Sequence, residues 1–146
     1  MIRAELRYLH SPDVFDLPNY QPNQADYFCL LIQAMIGPKG ESGEESFDFM
    51  VCTPQWLTDQ ISKTGYFLGK NYLLLLNYNY SLIWLVIKQL CDEIEGKDWE
   101  TVANSLSRYG KWEFEDYNLT EVSENVVLVK ENFTDSILVA AAGKVN

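Results

Sequence analysis

The stretch from Ile36 to Leu57 constrains the fold of this chain more than any other. Gly37, Pro38, Gly40 and Gly43 supply turn backbone that other residues resist. Phe47, Phe49 and Val51 then alternate with Ser46, Asp48 and Met50, the period of a half-buried strand. Before the turn, Tyr27 to Ile36 is apolar on both sides, with Gln33 the only strongly polar side chain. Such a run is covered on both faces or central in its sheet. The two runs read as a hairpin turning near Gly40 and Glu41, which sets Cys29 opposite Cys52. Thr53 and Pro54 then start a helix. The first offers a side-chain cap, and the second lacks an N–H where none is needed. Trp56, Leu57 and Ile61 fall on one side of that helix. Strand, turn, strand and helix in this order declare an α+β domain.

The rest of the chain fits the same class. Ile2, Ala4, Leu6 and Tyr8 alternate with Arg3, Glu5 and Arg7, a strand with one wet face. Val14 to Asp26 is a loop ordered by Phe15, Leu17 and Tyr20 lying on the core. Tyr72 to Leu76, apolar on both faces, reads as a further central strand. Asn79 or Ser81 caps a long helix with Leu82, Ile83, Val86, Ile87, Leu90, Cys91 and Ile94 on its apolar face, and Gly96 ends it. Asp98 caps the next helix, with Trp99, Val102, Ala103, Leu106 and Tyr109 inward and Gly110 closing it. Trp112 to Tyr117 reads as a short strand or extended segment, with Trp112 and Phe114 on one side and Glu113 and Glu115 on the other. Asn125 to Lys130 and Ser136 to Ala140 resemble a terminal strand pair. No repeat or linker divides the chain. The expectation is an α+β single domain over residues 1–146: a mainly antiparallel sheet with helices packed on one face. Residues 118–146 form a C-terminal extension of that sheet.

The charge narrows the function classes. Against 21 acidic residues stand 11 basic ones, a net charge of -10. Such a surface repels nucleic acid and anionic membrane, and it suits either a basic partner or simple solubility. Cys29, Cys52 and Cys91 make no disulfide framework, and with His10 the only histidine they offer no zinc set. No metal or cofactor is expected. Met1 to Glu5 lacks the apolar core of a signal peptide. The most apolar helix is broken by Lys88, Gln89, Asp92 and Glu93, short of the ~20 apolar residues of a membrane span. These features predict a cytoplasmic protein in which Cys29 and Cys52 act as small buried apolar residues rather than as a redox pair.

Three constellations invite catalytic readings. Glu113 and Glu115 on one face of a strand would lie roughly 7 Å apart, within the range of glycosidase carboxylates. A small carboxylate-dependent hydrolase is therefore the enzymatic alternative, although a solvated carboxylate face explains the pattern more simply. Glu41, Glu44 and Glu45 do not match a calcium loop, and the glycines around them do not end in the Lys-Ser/Thr pair of a phosphate loop. His10, Ser11 and Asp13 are sequence neighbours, whereas triads assemble through the fold. What remains is a surface. Carboxylates gather at Asp92 to Glu100, at Glu113 to Asp116 and at the hairpin tip, near Tyr78, Tyr80, Tyr109 and Tyr117. Aromatic anchors among charges suit a protein interface.

Taken together, four segments resemble the immunity protein 8 family of bacterial polymorphic toxin systems. They are His10-Ser11-Pro12-Asp13; Ile36-Gly37-Pro38-Lys39-Gly40 with Gly43-Glu44-Glu45-Ser46-Phe47; Val51-Cys52-Thr53-Pro54 with Trp56-Leu57; and Trp112-Glu113-Phe114-Glu115-Asp116-Tyr117. The resemblance runs from the N-terminus to about Tyr117. It implies a non-catalytic α+β protein that protects its producer by binding a cognate toxin domain. Many such toxins are nucleases with basic clefts. From the net charge, and not from the family, the partner-binding residues expected are Glu113, Glu115 and Asp116 first and Glu41, Glu44 and Glu45 next, facing a basic toxin. Asp92, Glu93 and Glu95 are weaker candidates. An acidic interaction module unrelated to toxins is the other alternative, and monomer and dimer are both compatible with the sequence.

Overall fold

The computed structural model of the protein describes residues 1–115. Strand β1 (Ile2–His10) pairs antiparallel with β2 (Cys29–Pro38), which pairs antiparallel with β3 (Glu45–Cys52). Helix α1 (Pro54–Thr64) follows, then β4 (Tyr72–Leu74), α2 (Tyr80–Asp92), β5 (Glu95–Gly96), α3 (Trp99–Leu106) and β6 (Lys111–Trp112). The sheet runs β4-β3-β2-β1-β5, with β6 pairing to β3. Among the described residues only the β3–β4 pair is parallel. The domain is α+β, as expected, and β2 lies at its centre.

Period-2 burial drives this arrangement. Leu30, Ile32, Ala34 and Ile36 of β2 and Phe47, Phe49 and Val51 of β3 turn to one face and are buried. Helices α2 and α3 close that face with Ile83, Ile87, Cys91, Val102, Ala103 and Leu106. Asn79 caps α2 by accepting from Leu82 N–H at 3.0 Å, and Asp98 caps α3 by accepting from Thr101 N–H at 2.8 Å. Truncating a fully buried side chain such as Ile32 would cost about 2–5 kcal/mol.

Several local expectations are corrected. The β1 register shifts between Leu6 and Tyr8, so Leu9 is buried in place of Tyr8, which is 46% exposed. A bulge of this kind swaps the faces that simple alternation assigns. β4 is a short edge strand rather than a central one, which leaves Leu74 exposed. Thr53 does not cap α1 with its hydroxyl, which instead accepts from Phe28 N–H at 3.3 Å across the hairpin base. α2 ends at Asp92, and Gly96 is a strand residue paired with Ile2 rather than a helix terminator. Phe15 stands fully exposed, while Leu17 is buried and Tyr20 packs edge-on to Tyr78. Tyr109 is exposed and does not face inward. Residues 113–115, after Trp112, turn instead of continuing as a strand. Asp116, Tyr117 and the strand pair expected at 125–140 lie outside the described residues.

Candidate functional site: an acidic hairpin tip

The β2–β3 turn is a braced loop. A Cβ on Gly37 would fall 2.1 Å from the Gly43 carbonyl oxygen, so only glycine lets the two sides of the turn approach. Gly43 itself holds φ 98, the left-handed region. Arg7, displaced by the β1 bulge, reaches across with its guanidinium. It donates to the Pro38 carbonyl at 2.8 Å and to the Glu41 carbonyl at 2.6 Å. The Glu5 carboxylate lies 3.1 Å from Arg7 Nε. Lys39 N–H donates to the Arg3 carbonyl at 2.8 Å, tying the turn to β1. The side chains of Glu41 and Glu44 project from this frame and are exposed.

Glu45 anchors the tip to the rest of the fold. Its two carboxylate oxygens accept from two indoles: Trp99 Nε1–H donates to Oε1, and Trp112 Nε1–H donates to Oε2 at 3.3 Å. Phe47 packs between the rings, edge-on to Trp99 and stacked on Trp112 with centroids 6.4 Å apart. Buried indole N–H groups require an acceptor, and Glu45 supplies one to both.

Glu113 joins the same corner through Ser46. Ser46 N–H donates to Glu113 Oε1 at 2.8 Å, and Glu113 N–H returns a bond to the Ser46 carbonyl at 3.1 Å. The fold thus brings Glu113 to Ser46, the residue after Glu44 and Glu45, across 67 positions of sequence. Glu115 turns elsewhere: it is half-buried and its carboxylate pairs with Lys70. Among the weaker candidates, Asp92 is held by Lys88 at 2.8 Å and Glu95 by Arg3 at 3.2 Å. The hydrogen bond and charge from Lys88 hold the Asp92 carboxyl below its ordinary pKa. Tyr78 serves the core, donating to the Leu17 carbonyl at 2.5 Å, with burial pushing its phenol up to about 12.

The arrangement can present charge. A groove of about 620 Å³ lies between β4 and the helices, but Glu93 is the one carboxylate in its lining, so it is not a paired-carboxylate cleft. Among the described residues no group of three or more His, Cys, Asp or Glu is set to hold a metal ion. No helix among the described residues is long and apolar enough to cross a membrane. Sequence reasoning missed Arg7 and the structural task of Glu45. Arg7 was hidden by an alternation that the bulge breaks, and the indole partners of Glu45 lie 54 and 67 residues away.

A family model described as immunity protein 8 matches residues 4–117. No curated protein and no solved structure matches the chain. The match spans most of the sequence and includes Arg7, the β2–β3 hairpin and Glu113. The chain belongs to the immunity protein 8 family, the immunity proteins of polymorphic toxin systems.

Proposed function

We propose that the protein binds and neutralises a cognate toxin domain through its acidic hairpin tip, without catalysing a reaction. The observation that carries this reading is a rigid loop offering the exposed carboxylates of Glu41, Glu44 and Glu113 on one corner of a chain with net charge -10. A loop already tied by Arg7 loses little freedom on binding, which favours affinity. Its carboxylates speed encounter with a basic surface. The toxin face that fits is basic, and a nuclease substrate cleft is the leading instance: carboxylates there occupy the place of phosphate charge. Glu45 supports this corner from beneath, Glu115 is drawn off it by Lys70, and Asp116, a partner-binding candidate from the sequence, lies outside the described residues. The site of action is the cytoplasm, where a delivered toxin of this kind meets its substrate.

Co-expression tests the reading. The toxin domain encoded beside this chain is expressed with and without the protein, and growth and direct binding are scored. Rescue of growth with a stable complex is expected. Loss of growth in both cases, with no complex, would contradict it.

A further inference from the structure

Contrary to the expectation from sequence that Cys29 and Cys52 act only as buried apolar residues, we propose that they form a dithiol that small-molecule disulfides convert into a disulfide across the β2–β3 hairpin. The two residues are direct partners in the antiparallel register. The backbone hydrogen bonds identify the class of that pair. Thr53 N–H donates to the Phe28 carbonyl at 3.2 Å, so the Phe28–Thr53 pair is the one bonded between the strands. The adjacent Cys52 carbonyl instead accepts from Leu75 N–H at 3.0 Å, on the β4 side. Two residues back, Met50 N–H likewise turns to the Asn71 carbonyl at 2.8 Å. Cys29 and Cys52 are therefore a non-hydrogen-bonded pair. In such pairs the Cα atoms are about 4.5 Å apart and the side chains closest, within the span of roughly 4.4–6.8 Å that a disulfide bridges. The two thiols lie close enough to affect each other's ionisation.

Access sets the order of events. Cys52 is fully buried, whereas Cys29 is partly exposed and meets the reagent first. The Cys29 thiolate attacks one sulfur of the small disulfide, forming a mixed disulfide and releasing one small thiolate. Cys52 gives up its proton to solvent and attacks Cys29 Sγ, forming the protein disulfide and expelling the second small thiolate. The protein pair is oxidised, and one small disulfide is reduced to two thiols.

The surroundings govern the rate. Burial pushes the Cys29 thiol up to about 12, with Cys52 from β3 and Asp13 from the preceding loop adding to it. Burial also raises Cys52, and the phenol of Tyr72 on β4 lies near both. Little thiolate exists at neutral pH, so exchange is slow there and quickens about tenfold for each unit that pH rises toward the thiol pKa.

Oxidised glutathione in excess over the intact protein tests the pair, read by thiol titration and peptide mapping. The expected result is a fall from three free thiols to one, with Cys29 linked to Cys52, Cys91 free and no glutathione retained. Cys52→Ser is expected to trap glutathione on Cys29, and Cys29→Ser to stay unreacted. A titre that stays at three, glutathione retained on Cys29 of the unmutated protein, or modification of buried Cys91 alongside the pair would overturn the proposal.

Discussion

Glu45 shows how one side chain can belong to an acidic surface and yet serve the core. Its carboxylate satisfies the indoles of Trp99 and Trp112, while neighbouring Glu44 is exposed. The two residues should therefore separate cleanly. Glu45→Ala is expected to lower stability by about 1–3 kcal/mol in urea unfolding, because two indole donors lose their acceptor, and to shift tryptophan fluorescence. Glu44→Ala is expected to stay within about 0.5 kcal/mol of the parent. Equal effects would mean that the indoles find other acceptors. Sequence alone placed these glutamates together as candidates, but it contained no local sign of which one is anchored. That information lies in contacts between segments that only the closed sheet brings together.

At the scale of elements, the hairpin depends on a neighbouring strand. Arg7→Ala removes the bonds to the Pro38 and Glu41 carbonyls. The expected cost is about 1–2 kcal/mol, the lower part of the range for hydrogen bonds to a charged group, because the loop is open to water. Hydrogen exchange should quicken at the tip and not in α2. The cap of α3 gives a pH signature. Bonds from the Thr101 hydroxyl and N–H hold the Asp98 carboxyl below its ordinary pKa. The stability this adds is present above the unfolded carboxyl value of about 3.9 and is lost as pH falls through the lower folded value. Asp98→Asn keeps an acceptor that does not titrate. Its urea midpoint should match the parent near neutral pH and decline less than the parent's on acidification to about pH 3. Parallel declines would remove Asp98 from the acid response.

Much of this level was legible in the chain. Alternation in Phe47 to Val51, the glycine turn, the Cys29–Cys52 register and the caps at Asn79 and Asp98 all follow from short-range rules, and the structure contains each of them. The errors fall where a longer-range fact overrides a local one. A bulge reverses Tyr8 and Leu9. An apolar run at Tyr72 marks a sheet edge: among the described residues β4 pairs with β3 alone, and Leu74 and Leu76 are exposed. Gly96 resembles a helix stop but is small because Thr101 packs over it, where a Cβ would lie 2.9 Å from Cγ2. Of the candidate site, the residue types and the turn were visible. The bond from Ser46 to Glu113 and the diversion of Glu115 to Lys70 were not.

On the scale of the whole molecule, one core beneath one sheet face holds a rigid frame, and the net charge of -10 surrounds it. In the proposed reading the frame fixes where the tip's charge points, and the overall field would set how fast a basic toxin arrives. Association with the toxin should therefore slow as salt rises, while dissociation changes less. The most direct test of the account is the association rate of the toxin domain with the triple variant Glu41→Lys, Glu44→Lys, Glu113→Lys, measured against the parent at low and physiological salt. All three side chains are exposed, so the fold should survive, but Glu113→Lys also removes the acceptor of Ser46 N–H at a cost of about 1 kcal/mol. The double variant Glu41→Lys, Glu44→Lys, with an unchanged urea midpoint, is the control that separates charge from stability. Association is expected to slow by about tenfold or more, with a flattened salt dependence and weakened protection of growth. An unchanged rate and full protection in a folded variant would contradict the proposed reading and move the toxin-binding surface away from the hairpin tip.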